Sequence, residues 1–268
     1  MEKFPNYNTS EKHLGGYIFS SKNDPHGDKL TYSPHLWKWL VKKLKINSIL
    51  DIGCGEGHST KYFSELGCDV LGIDGSKKAI ENSAIPHRVV LHDFTGGKYI
   101  LNRKYDAIWC CEFVEHVEEK YKNNFLETFK FAEKYIFLTY ADLGQKGWHH
   151  VNCQPKEYWI RELEKNGFEF NSKLTLAARC MAEMGHFRKK GLIFINKNYA
   201  TPNFHNLFGP SMLLFNIKYK IKKILYFTDK QIGKIGLILK KSPKLYKFLK
   251  NKKQNKIWLK KSTSDFGR

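Results

Sequence analysis

Acidic residues are scarce in this 268-residue chain, 26 Asp and Glu against 46 Lys and Arg, and the formal net charge of +20 favours anionic partners: phosphates, membrane surfaces or nucleic acid. Long apolar runs are missing as well. No stretch reaches the ~18 residues of a membrane-spanning helix, and Met1 to Asn6 lack the basic-then-apolar order of a secretory leader, so a cytoplasmic location is expected. The six cysteines, at positions 54, 68, 110, 111, 153 and 180, form no CxxC pair and have no histidine at zinc-ligand intervals. A disulfide framework and a structural metal are therefore not expected, and reduced, buried thiols are. At 41% hydrophobic and 27% charged residues the chain has the composition of a globular protein rather than a disordered one.

The basic excess is uneven. Residues 201–268 carry 17 Lys and Arg but only Asp229 and Asp265 as acids, a net +15, while the first 200 residues hold 29 bases and 24 acids. Three regions are expected on this basis: an arm or lid over 1–35, a nearly charge-balanced central domain over 36–196, and a basic extension over 197–268. In the extension Leu213, Leu214, Ile217, Ile221, Ile224 and Leu225 interleave with Lys218, Lys220, Lys222 and Lys223. That pattern predicts amphipathic helices between 211 and 261, with Phe215, Tyr219, Tyr226, Phe227 and Trp258 as anchors at a membrane surface. Packing of the apolar face on the core with a solvated basic face is an equally open reading of these helices, and nucleic-acid binding through the same lysines is the less favoured one.

In the arm, Gly15-Gly16 and Asp24-Pro25-His26-Gly27-Asp28 mark turns. From Ser33-Pro34 the spacing of Leu36, Trp37, Leu40, Val41 and Leu44 predicts a helix with Ser33 as its N-cap. Short apolar runs then alternate with helical segments, strands over 48–52, 70–73, 89–92, 105–110, 135–139, 168–171 and 192–196 and helices over 59–66, 77–83, 118–130, 155–166 and 174–181. This alternation predicts an α/β fold: a doubly wound, mainly parallel seven-stranded sheet whose last strand runs antiparallel.

The strongest local signal is Ile49-Leu50-Asp51-Ile52-Gly53-Cys54-Gly55-Glu56-Gly57, a strand ending in a glycine-rich turn that opens into a helix. Glycines permit positive φ and close approach of a ligand, and the helix start offers unpaired N–H groups, so a nucleotide-like cofactor belongs there. His58 stands where a dinucleotide fold has its third spaced glycine, which argues against NAD. Asp74, 17 residues past Gly57, closes the second strand where a carboxylate can accept ribose hydroxyls, Asp93 follows the third strand and Glu112 the fourth. This segment resembles the class I S-adenosylmethionine-dependent methyltransferases over about residues 45–196. The resemblance implies that Asp51, Gly53, Cys54, Gly55 and Gly57 cradle the methionine part of S-adenosyl-L-methionine, that Asp74 and Gly75 hold the ribose, that Asp93 and Phe94 flank the adenine, and that Glu112 faces the methionine end and the substrate.

Methyl transfer to a hydroxyl requires alignment and removal of a proton. Glu112 to Val117 and Trp148 to Asn152 follow the fourth and fifth strands, and His149 and His150, in a loop between Gly147 and Pro155, are the better base candidates, with Glu112 as another and His116 a weaker one. Tyr32 and His26 of the arm are candidates for substrate contact. The run from His149 to Ile160 resembles small-molecule methyltransferases of surface-sugar gene sets. The expected function is O-methylation of a small molecule, glycan or lipid-linked sugar. The alternatives are an RNA methyltransferase anchored by the basic extension and a non-catalytic nucleotide-binding domain.

Overall fold

A computed structural model describes residues 7–8, 13–15, 17–183 and 185–200. The basic extension beyond Ala200, with its expected helices and its membrane or nucleic-acid contacts, lies outside the described residues. Among the described residues no helix is long and apolar enough to cross a membrane.

Two short strands of the arm, β1 (Tyr7–Asn8) and β2 (Tyr17–Ile18), pair antiparallel. Helix α1 (Pro34–Leu44) follows, burying Leu36, Trp37, Leu40, Val41 and Leu44 on one face. Ser33 occupies its N-cap position, but its hydroxyl makes no cap bond; the N–H of His35 is taken instead by the carboxylate of Glu183, 3.0 Å away. The central sheet is built from β3 (Ser48–Ile52), β4 (Asp69–Asp74), β5 (Val89–Leu91), β6 (Tyr105–Cys110), β7 (Ala132–Leu138), β8 (Phe168–Phe170) and β9 (Leu192–Asn196). Its order is β5-β4-β3-β6-β7-β9-β8. All pairings are parallel except those of β9, which lies antiparallel between β7 and β8. This is the doubly wound, mainly parallel seven-stranded sheet the alternation predicts.

Helices α2 (His58–Glu65), α3 (Lys77–Glu81), α4 (Lys122–Phe129), α5 (Lys156–Lys165), α6 (Ser172–Met181) and α7 (His186–Lys190) make the crossovers and flanks. Because strand side chains alternate in direction, neighbouring residues enter opposite cores. On β3 Ile49 joins the core shared with Leu36, Trp37 and Phe63, whereas Leu50 and Ile52 join that of Phe125, Phe129 and Trp159; on β6 Trp109 faces the first and Ile108 the second. Every residue of β6 is buried, as a central strand covered on both faces must be. Order reverses between β3 and β6, so the loops after these strands open a crevice at their C-terminal ends, where the glycine turn, Glu112 and the loops around 145–150 come together.

Candidate functional site

A cleft of about 390 Å³ lies over those strand ends. Its floor is the turn after β3. Gly53, Gly55 and Gly57 all have positive φ, at 75°, 54° and 73°. A Cβ on Gly53 would stand 2.7 Å from the Phe113 ring, and one on Gly55 would meet only Tyr17, at 3.8 Å. Gly55 therefore leaves its main chain open to the cleft, Gly53 lets the Phe113 ring lie against the turn, and the chain passes directly into α2. Asp74 braces it: one carboxylate oxygen accepts the N–H of Gly55 at 2.8 Å and the other that of Ser76 at 2.9 Å. Asp51, fully buried, accepts hydrogen bonds from Ser59 and Thr60 at 2.6 and 2.7 Å. Burial pushes its carboxyl up to about 6 against the pull of those two hydroxyls, with the Asp74 charge adding to the rise.

The arm forms the facing wall. The N–H of Ser20 reaches the Glu56 carboxylate at 2.8 Å, Asn82 reaches the Tyr17 hydroxyl at 3.2 Å, and His26 stacks on Tyr32 with ring centroids 3.9 Å apart. Both His26 and Tyr32 line the cleft. The arm is tied to α7 through the N–H of His186, which donates to Leu30 at 3.0 Å. Gly185 lies against that same stretch of main chain with φ of 112°, so any side chain there collides with Leu30. A Gly185→Ala variant is expected to lose about 2 kcal/mol of stability, read as a lowered midpoint in urea with unchanged slope.

His186 joins three elements. Its Nε2 lies 3.2 Å from Asp28 of the arm and its Nδ1 3.0 Å from Glu112. Burial works against its charge, but the two carboxylates outweigh burial and push the imidazole up to about 10. Glu112 itself sits at φ 54°, held there by Thr139, whose hydroxyl accepts the Glu112 N–H at 2.7 Å and lies 2.9 Å from its carboxylate.

Beyond Glu112 the loop carries Glu115 and His116 against His150. Glu115 is completely buried, and neither carboxylate oxygen has a hydrogen bond among the described residues; burial first, then the Glu112 charge, holds its carboxyl well above the usual range. Burial, reinforced by the neighbouring His150, pushes His116 down to about 4, so its ring is neutral at physiological pH. The rings of His116 and His150 meet edge to face at 5.1 Å.

Of the residues expected from sequence to hold a cofactor, Asp51, Gly53, Cys54, Gly55, Asp74, Gly75 and Glu112 line the cleft. Gly57, Asp93 and Phe94 are not among its lining residues. Gly57 turns the chain into α2, with space for a Cβ filled by Ile85, Ser83 and Val89. Asp93 is engaged by Thr95 and by His13 at 3.1 Å, and Phe94 is buried against His92 and Phe113. Of the base candidates, His150 and Glu112 line the cleft and His149 does not; His149 has φ of 49°, its carbonyl lies 3.3 Å from His116 Nδ1, and burial lowers its ring's affinity for a proton. The six cysteines are free, and burial raises the thiols of Cys110 and Cys111 well above their ordinary value, which suits packing rather than nucleophilic attack. Sequence reasoning missed Asp28 and His186, which are 158 residues apart with no spacing rule to link them, and had Glu115 only as part of the loop from Glu112 to Val117.

The family model described as a methyltransferase domain matches residues 50–132. The ubiquinone biosynthesis O-methyltransferase of Pelagibacter ubique (strain HTCC1062) is 37% identical over 87 residues, 29% of this chain and 35% of that protein, so the match spans about a third of the curated relative's length. Two solved structures are similar at lower identity: magnesium protoporphyrin IX methyltransferase from Synechocystis PCC 6803 with bound SAH (18% identical, 60% of this chain and 80% of that one, TM-score 0.46), and a SAM dependent methyltransferase from Archaeoglobus fulgidus (19%, 63% and 96%, TM-score 0.42). The match begins on the strand that carries the glycine turn and ends at the first residue of β7, and it identifies residues 50–132, the span that builds the cleft floor, as a methyltransferase domain.

Proposed function

We propose that the chain transfers the methyl group of S-adenosyl-L-methionine to a hydroxyl of a small molecule. The observation that carries this reading is the glycine turn braced by the Asp74 carboxylate, with Gly53, Gly55 and Asp74 all lining one cleft. The 37% identity over 87 residues to an O-methyltransferase supports oxygen as the acceptor. Asp51, Gly53, Cys54 and Gly55 would hold the methionine part, and Asp74 with Gly75 the ribose. When bound, the cofactor supplies an electrophilic methyl carbon on a sulfonium.

The acceptor oxygen forms the new C–O bond as the C–S bond breaks, the bonding pair staying on sulfur, and the hydroxyl proton leaves to a base or to solvent. The chain's task is to align the two and favour loss of that proton. His150, with His116 beside it and Glu115 behind, is assigned to the acceptor hydroxyl. Glu112, committed to His186 and Thr139, is assigned to holding the arm, since both of its carboxylate oxygens are already engaged. His26 and Tyr32 supply an aromatic wall for the substrate. A glycan or lipid-linked acceptor fits the expected membrane-binding helices of 211–261, which would bring the enzyme to it.

Calorimetric titration of the full chain with S-adenosylhomocysteine, followed by transfer of labelled methyl to a hydroxyl-compound panel, tests the reading. Micromolar binding and label on oxygen are expected. Folded protein that binds no S-adenosylhomocysteine would be a nucleotide-fold platform without this activity.

A further inference from the structure

Glu115, His116 and His150 offer one ligand atom each, and these atoms lie within 4.8 Å of one another. They come from two loops, after β6 and after β7, which is why no sequence interval betrayed them. Three further features distinguish the group from an ordinary polar cluster. The Glu115 carboxylate is entirely buried with both oxygens unpartnered among the described residues, an arrangement that costs about 1–3 kcal/mol unless a cation or donor is supplied. Each imidazole has its Nδ1 beside a main-chain carbonyl, His116 at 3.3 Å from His149 and His150 at 3.1 Å from Gln145. Donation of Nδ1–H to those carbonyls leaves Nε2 with the lone pair, the orientation that outer hydrogen bonds impose on metal-bound histidines. Finally, Gly15 and Gly147 press against the His116 and His150 rings so closely that a Cβ on either would strike them, which fixes both rings in place.

We propose that Glu115, His116 and His150 bind a divalent transition-metal ion at the substrate end of the cleft. Two imidazoles and a carboxylate suit zinc, manganese, iron(II) or cobalt(II) better than magnesium or calcium, which prefer oxygen-only shells. Both histidines line the cleft and the buried Glu115 does not, so the ion would meet the cleft on the histidine side. An acceptor hydroxyl bound on that side is made more acidic, its proton passes to solvent, and the oxygen keeps the pair used in the new bond. This role, but not the binding itself, rests on the methyltransferase reading.

The test uses the full chain, treated with a chelator and titrated with cobalt(II) chloride while visible absorption and heat are followed. One saturable equivalent is expected, weakened at least tenfold in His150→Ala and in His116→Ala but unchanged in Asp74→Ala, which lies outside the cluster. S-adenosylhomocysteine is titrated into the same preparations. If wild-type protein binds it yet takes up no cobalt, or if cobalt binding survives both histidine substitutions, the metal site falls and the cofactor reading stands. Cobalt binding lost with either histidine, in protein that does not bind S-adenosylhomocysteine, upholds the metal site and removes the methyltransferase reading. His150→Ala, in a partly exposed loop, keeps the test decisive should His116→Ala not fold.

Discussion

An Asp74→Ala variant is expected to bind S-adenosylhomocysteine about a thousandfold more weakly than the parent chain. A carboxylate accepting two ribose hydroxyls contributes about 1.5–3 kcal/mol for each charge-assisted bond. The substitution also strips the acceptors from Gly55 N–H and Ser76 N–H, so the turn that faces the ligand loses its brace. A combined loss of about 4 kcal/mol corresponds to a factor of about 10³. Asp74→Asn, which keeps one carbonyl acceptor, should fall between the two. Calorimetry on variants whose thermal unfolding remains cooperative gives the answer; a loss of less than tenfold in folded Asp74→Ala would remove this carboxylate from the ribose.

The second large effect is expected in stability against pH. The His186 imidazole is pushed up to about 10 in the folded chain, against about 6.5 unfolded. Below pH about 6.5 both states hold the proton and the stabilisation from Asp28 and Glu112 is fully present. Between 6.5 and 10 the unfolded chain gives the proton up freely while the folded chain must be forced to, so that contribution shrinks by up to about 1.4 kcal/mol per pH unit and is gone above 10. With the imidazole a quarter exposed, solvent screening lowers this to about 1 kcal/mol per unit. From pH 6.5 to 8.5, with the thiols common to both proteins, the wild-type Tm is expected to fall about 5 °C more than that of His186→Gln. Parallel slopes would show that the imidazole carries no such charge. At pH 6.5 the variant should itself be about 3 kcal/mol less stable, since it leaves two carboxylates facing each other without the cation between them.

How much of this was legible beforehand depended on the range over which each feature is encoded. The strands at 48–52, 105–110 and 192–196 coincide with β3, β6 and β9, because runs such as Ile-Leu-Asp-Ile are bounded by turn residues on both sides. The start of β7 was placed at 135 rather than Ala132, since Ala-Glu-Lys reads as the tail of the preceding helix. The helix expected over 118–130 opens instead with a 3-10 turn at Glu119–Tyr121. Helix α7 was missed altogether: five residues with one buried side chain, Phe187, have no periodicity to read. The site divides in the same way. Gly53, Gly55 and Asp74 belong to one strand-turn-helix unit and announce themselves. The Asp28–His186–Glu112 chain and the Glu115–His116–His150 group exist only once the arm, the loop after β6 and the chain beyond α6 have met.

The antiparallel strand β9 has a bearing on how the molecule is made. It is the last strand of the sheet in sequence, yet it sits between β7 and β8, and among the described residues β8 pairs with nothing else. During synthesis β3 to β7 can assemble as soon as they emerge, whereas Phe168–Phe170 must wait for residues 192–196 before it gains a partner. Until then the β7 edge stands open, a ladder of unpaired main-chain groups of the kind that recruits other chains. A ribosome stalled before Leu192 would therefore display a sheet with an exposed border, open to chaperones or to other chains.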